Sequence, residues 1–319
     1  ARYNKNLGEK MKFKTSLALA LFAFSLFLLS SMPSLAQCGC TGGAAVGGLS
    51  PAIGTSNSGV LREGFANVLV SFRHAYGDQY YRGSSSAAKG TINYISSDFI
   101  GALLSYGITD KLTTEAEFGA FANKTQDFVD QKYSSGGLSH LNIIGKYNVY
   151  SSKENEFELT LGAGAKLPLN RTSDTLPLHV QPSQRAFGAI SHIFAHKGFK
   201  RQGVHLYFLN RGEFLFENDR KYQYGAAIFT SIFVSKTLTD DLSAILEVRN
   251  EYKRKDKSDG VTNDDSGNSN LVLSPQLGFS FAGLYASCAF EYPVYKYYYG
   301  HQIVNNFAFS VSLSWGGKL

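Results

Sequence analysis

The sequence predicts an all-β chain: a single antiparallel transmembrane β-barrel of about 12 strands behind a secretory leader. Three observations carry that prediction. The one long apolar run sits near the N-terminus and is too short to span a membrane. From about Phe65 to Trp315, large apolar residues alternate with small or polar ones in segment after segment. Between those segments, short turns take turns with longer polar loops.

The leader comes first. Met11 is followed by Lys12 and Lys14, then by an apolar run from Leu17 to Leu29 broken only by Ser25. A spanning helix needs about 20 apolar residues. A basic start, a short apolar core and the small-residue exit Ser34-Leu35-Ala36 describe a signal peptide, with Gln37 as the expected mature N-terminus. Residues Ala1 to Lys10 read as upstream translated sequence or an expression remnant. The expected organisation is therefore 1–36 leader, 37–60 a flexible Gly/Ser-rich segment, and 61–319 the barrel.

Removing the leader changes the charge balance. The chain has 31 Lys+Arg and 25 Asp+Glu; five of the basic residues (Arg2, Lys5, Lys10, Lys12, Lys14) and one acidic residue (Glu9) precede Gln37, which leaves 26 against 24. A balance that close to neutral gives no electrostatic case for nucleic acid. The 19 Tyr and 24 Phe suit the apolar band and aromatic girdles of a membrane barrel. They also suit a secreted β-sandwich, so the strand pattern decides.

The last strand is the clearest. Phe307, Phe309, Val311, Leu313 and Trp315 alternate with Ala308, Ser310, Ser312 and Ser314. Successive side chains point to opposite faces, so one face is large and apolar and the other small and polar. Phe157 to Leu169 repeats the pattern, with Leu159, Leu161 and Leu167 against Glu158, Thr160 and Lys166. Leu112 to Ala120, Leu242 to Val248 and Leu277 to Phe281 do the same.

The connections add an independent signal. Short turns are expected at Thr109-Asp110, Ser151 to Asn155, His196 to Gln202, Thr239 to Asp241 and Ala282-Gly283. Longer loops are expected at Gly77 to Gly90, Thr125 to Gly136, Arg171 to Gln184, Asn218 to Lys221, Lys255 to Ser269 and Lys296 to His301. Outer-membrane barrels alternate this way because turns face the periplasm and loops the exterior. An even strand number puts both termini on the periplasmic side. The pair of strands in Arg185 to Asn210 alternates poorly, so counts of 10 and 14 stay open alongside 12.

The run Ser105-Tyr106-Gly107-Ile108-Thr109-Asp110-Lys111-Leu112, followed by Glu115 and Glu117, resembles a turn common in a group of outer-membrane barrels described as transporters, or as of the meta-pathway of phenol degradation type. Thr237 to Leu242 is a looser copy, and Pro293, Tyr295, Tyr297, Gly300 and Gln302 before the last strand are similar to that group's ending. The resemblance covers roughly Leu61 to Trp315. It implies passage or uptake of small molecules across a bacterial outer membrane. One feature departs from the group: Trp315 is followed by Gly316, Gly317, Lys318 and Leu319 instead of closing the chain.

If the barrel is right, charges on the small-residue face point into the lumen, because Lys or Arg facing lipid at mid-depth costs about 2–4 kcal/mol. That set is Glu115, Glu117, Lys146, Glu158, Lys166, Glu213, Glu247, Arg249, Glu251 and Lys253. They either line a polar solute path or pair with one another and fill a narrow lumen. Tyr292, Tyr295, Tyr297, Tyr298 and Tyr299, with Trp315, are expected in the interfacial girdle; a sugar or aromatic-solute platform is the sharper alternative. Cys38 and Cys40 are read as incidental thiols of a flexible tail, as a lipidation site, or as ligands for copper or zinc.

Cys288 is expected to pack on an apolar face. Asp259, Asn263, Asp264, Asp265 and Asn268 crowd one solvated loop without a calcium-loop spacing. Ser139–His140 and Ser191–His192 are sequence neighbours expected on opposite strand faces, which argues against a hydrolase. No enzyme activity and no cofactor are expected. The expected partners are outer-membrane lipid and a small solute. The runner-up is a non-conducting barrel serving as an anchor, with the N-terminal Cys segment binding metal, lipid or a periplasmic partner.

Overall fold

The computed structural model describes residues 59–169, 176–177 and 180–319. The leader, Cys38, Cys40, almost all of the 37–60 segment, and half of the Arg171 to Gln184 loop, His179 included, lie outside the described residues.

Among the described residues seventeen strands follow one another: β1 (Phe65–Gly77), β2 (Gln79–Gly83), β3 (Ser85–Ala87), β4 (Ile92–Thr109), β5 (Leu112–Phe128), β6 (Lys132–Ser152), β7 (Phe157–Pro168), β8 (Gly188–Phe199), β9 (Val204–Leu215), β10 (Tyr222–Gln223), β11 (Ala227–Thr237), β12 (Leu242–Lys253), β13 (Lys257–Ser258), β14 (Val261–Thr262), β15 (Asn268–Phe281), β16 (Leu284–Val304) and β17 (Phe307–Lys318). Twelve of them, β1, β4 to β9, β11, β12 and β15 to β17, form one antiparallel sheet that closes on itself. Closure is made by β1 against β17, in register from Phe65 opposite Lys318 to Tyr76 opposite Phe307. The five remaining strands are small additions at one end of the barrel: β2 and β3 beside β16, and the three-stranded sheet of β10, β13 and β14. No described helix is long and apolar enough to cross a membrane.

The alternation read from the sequence sorts residues to the two faces. Val68, Val70, Leu104, Ile143, Ile232, Val234, Leu246, Val248, Leu277, Leu313 and Trp315 are exposed on the outside. Between them Leu69, Ser71, Arg73, Ile144, Lys146, Phe233, Ile245, Glu247, Arg249 and Ser314 are buried inside. A continuous outer band of exposed aliphatic and aromatic side chains would be an aggregation liability in water; against hydrocarbon it is the required surface.

The turns have identifiable chemistry. At β4–β5 the Thr109 hydroxyl accepts the backbone N–H groups of Lys111 and Leu112 at 3.2 and 3.1 Å. At β11–β12 Thr239 does the same for Leu242 at 3.1 Å. The repeated Thr-Asp-x-Leu is thus a side-chain-capped turn. Ala282 and Gly283 have φ of 50° and 81°, the two positive angles of the hairpin turn that matches strand twist.

Several boundaries differ from expectation. Thr125 to Gly136 is not a loop: β5 runs on to Phe128 and β6 resumes at Lys132, with Gln126 opposite Tyr133. Lys296 to His301 is likewise strand, within a β16 that reaches Val304. The strands rise past the outer apolar band, and there neither face is lipid-facing, so alternation fades while pairing continues. The expected His196 to Gln202 turn shortens to a one-turn 3-10 helix at Lys200–Gln202, because β8 extends to Phe199.

Candidate functional site

Strands β5 and β9 are separated in the sheet by β6, β7 and β8. The side chains of Glu117 on β5 and Arg211 on β9 nevertheless meet as a two-pronged pair, at 2.7 and 2.8 Å. They reach each other only through the barrel interior. Arg211 also donates to Glu213 at 3.1 Å, and Lys166 on β7 donates to Glu213 at 2.8 Å. Asn142 adds a 2.7 Å bond to Glu117. Lys146 and Ser105 close the group through Glu115, at 2.9 and 3.1 Å. This first cluster lines the β4 to β9 wall and is charge-balanced.

A second cluster occupies the wall from β11 around to β1. Arg249 on β12 bonds Glu247, Glu251 and Glu291 at 3.1, 2.8 and 2.5 Å. Arg73 on β1 grips Glu291 on β16 with Nε and Nη2, at 2.9 and 3.0 Å. Ser231 and Gln276 donate to Glu247 at 2.7 and 3.1 Å. Every charged member of the two clusters is buried except Glu251, which is partly so. Together they form a belt of paired charges around the interior, and bidentate, charge-assisted bonds fix its geometry.

Toward the short-turn end, an apolar cluster of Phe194, Tyr207, Leu209, Phe233 and Ile245 lies inside the barrel. At that mouth the residues before β1 turn inward. Gly59 and Leu61 are buried. The N–H of Val60 reaches Glu158 at 3.2 Å, and that of Leu61 reaches the inward-facing Thr113 hydroxyl at 2.7 Å. A Cβ on Gly107 would fall 2.1 Å from the Arg62 carbonyl oxygen, so only glycine admits this segment there.

The opposite end is built by the longer connections. Asp256, buried, accepts from Lys253 at 2.8 Å, from the Tyr222 hydroxyl at 2.7 Å and from the Gly225 N–H at 2.7 Å. Burial alone would raise its carboxyl; Lys253 and these donors outweigh that and hold it below the usual carboxylate range. Burial and the adjacent Asp256 push the Tyr222 phenol up.

All ten expected inward charges lie on the inner face. Nine of them join the two clusters or the Lys253–Asp256 pair; Glu158 instead serves the short-turn mouth. Three belt members were missed: Arg73, Arg211 and Glu291. Arg211 stands two residues before Glu213, and so on the same face; that spacing is the signal that would have found it. Of the expected girdle, Tyr292, Tyr295 and Trp315 are exposed on the outside, and Tyr297 meets Tyr299 edge to face. Tyr298 is a correction. It is 3% exposed and points inward, where its hydroxyl accepts from Asn270 at 2.8 Å, because irregular pairing along β15 and β16 shifts the facing of the residues beyond Pro293.

Ser139 and His140 are a second correction. A bulge opposite Gly119 and Ala120 buries both, and the Ser139 hydroxyl lies 3.0 Å from His140 Nδ1. No described carboxylate bonds the other ring nitrogen, so the pair lacks the orienting acid of a hydrolytic triad. Cys288 is exposed on the outer face. No group of three or more potential metal ligands occurs among the described residues.

No family description and no curated protein matches this chain. Solved structures do. The barrel is similar to an outer membrane channel from Pseudomonas putida F1. That structure superposes with a TM-score of 0.68 over 83% of this chain and 98% of its own, at 12% identity. The NanC porin superposes more loosely, at a TM-score of 0.46 and 8% identity over 78% of this chain and 98% of its own. What the Pseudomonas putida channel shares with this chain is the fold, a closed antiparallel barrel.

Proposed function

We propose that this chain is a bacterial outer-membrane channel that lets small molecules cross along a narrow polar lumen. The observation that carries the reading is the two-faced closed barrel. Exposed apolar residues such as Ile232, Leu246 and Leu313 surround an interior of paired charges. Such a surface suits lipid, and a closed sheet leaves no unpaired edge in it. In this reading the turns capped by Thr109 and Thr239, and both termini of the chain, face the periplasm. The same turns support membership of the transporter-like group that the sequence resembles.

The belt sets the bore. A lumen of twelve strands falls between filled small barrels and open porins, and here the two clusters narrow it further. Solutes are expected to be small, and the mixing of both signs in the belt argues against strong ion selectivity. A second reading, a non-conducting barrel acting as an anchor, is favoured by two features: the burial of the belt and the inward turn of Gly59 to Leu61. Proteoliposome swelling separates the readings. Refolded protein in liposomes should admit the smallest uncharged solutes and exclude progressively larger sugars. Swelling no faster than in empty liposomes, at every solute size, would leave the anchor.

A further inference from the structure

The second cluster does not balance. Arg73 and Arg249 face Glu247, Glu251 and Glu291, which leaves one carboxylate in excess. The neighbouring cations do not supply the difference. Lys253 is held by Asp256 at 2.8 Å, and Lys296 directs its ammonium over the Tyr81 ring, 4.9 Å from the centroid. An uncompensated charge taken out of water costs several kcal/mol, so a proton or a bound cation is expected to offset it.

The space for it is present. A cavity of about 40 Å³ adjoins Glu251, Glu291 and Arg73 and is lined further by Asn270, Phe229 and Tyr298. A site needs room for only one water-sized sphere to hold a water, so this one has ample space for a small cation. One wall supplies an acceptor with nothing to accept. Asn270 is 6% exposed, its amide nitrogen donates to the Tyr298 hydroxyl, and its Oδ1 has no hydrogen-bond partner. Of the two Glu251 oxygens, Oε1 is engaged by Arg249 Nε.

We propose that this cavity is a binding site for a small monovalent cation, held by Glu251 and Asn270 Oδ1. An inorganic ion and the ammonium head of a primary amine share the required chemistry: one positive charge, small radius, and affinity for oxygen acceptors. A quaternary ammonium, with no N–H to donate and a larger radius, is the weaker ligand for such acceptors. Occupancy is independent of conduction, so the site stands or falls apart from the channel reading.

The test is unfolding of the detergent-solubilised full chain in sodium chloride, methylammonium chloride or choline chloride at equal ionic strength. Sodium, methylammonium or both should raise the unfolding midpoint saturably over choline, and which one does so identifies the source of the charge. Glu251→Gln removes the excess carboxylate and should raise the half-saturating concentration by about tenfold or more, which is about 1.4 kcal/mol. Asn270→Ala should also weaken the cation response, and it reads the site independently if Glu251→Gln does not fold. Choline matching both small cations would overturn the proposal. So would an unchanged response in Asn270→Ala together with Glu251→Gln.

Discussion

Arg211 is the most connected cation of the first cluster, and its removal has a calculable cost. Arg211→Met deletes three charge-assisted bonds, two to Glu117 at 2.7 and 2.8 Å and one to Glu213 at 3.1 Å. Glu213 keeps Lys166 at 2.8 Å, but Glu117 is left with the Asn142 amide alone. Breaking a buried pair by removing one partner costs about 3–5 kcal/mol, because the other charge stays buried and unpaired. Glu117→Gln on the Arg211→Met background removes that orphan and retains the Asn142 contact. The double variant should therefore be more stable than the sum of the single losses implies, with a coupling of about 1–3 kcal/mol. Urea unfolding of refolded protein reports both quantities. The single tryptophan, Trp315, is 42% exposed on the outer face and supplies the fluorescence signal. A loss below about 1 kcal/mol for Arg211→Met, or strict additivity in the double variant, would refute the reasoning that the belt is desolvated and mutually paired.

Three further outcomes are expected. Leu246→Arg, on the outer face, should cost about 2–4 kcal/mol of stability in lipid, measured by urea titration in liposomes; a neutral or stabilising effect would mean that this face meets water. Asp256 has a depressed carboxyl, so its contribution is complete above the unfolded-state value near 3.8 and is lost as pH falls through the lower folded value. Limited proteolysis of the 254–266 connection should accordingly stay slow down to about pH 4, while Asp256→Asn should speed it at neutral pH. Gly107→Val should expel residues 59–63 from the short-turn mouth, which a thiol reagent would detect as faster labelling of Leu61→Cys; equal labelling rates would contradict the inward seat of that segment.

The membrane-facing strands were legible because a two-sided solvent imposes a two-residue period. Phe307 to Trp315 shows it without interruption, and its apolar members are the ones found outside. Legibility ended where one of the two solvents ended. Lys296 to His301 reads as a loop because its residues stand above the apolar band, although backbone pairing carries β16 to Val304. Bulges hid more. The irregular pairing at Leu271/Val272 and at Gly119/Ala120 shifts the facing of Tyr298 and of Ser139, and no local residue type announces it. The inward charges were found wherever a strand alternated cleanly. Arg73 and Glu291 were missed as belt members because pairing across the lumen joins β1, β12 and β16, and no local pattern carries that contact.

The central claim is that the belt is the constriction of a lumen that small solutes cross. Single-channel current in planar bilayers tests it most directly, comparing the native chain with Arg211→Ser/Glu117→Ser, which removes both partners and leaves no orphan between them. The account predicts small discrete steps for the native protein and larger steps for the variant, since two long side chains leave the bore. Absence of current from both proteins, with the barrels shown to be inserted, or steps of equal size, would contradict it.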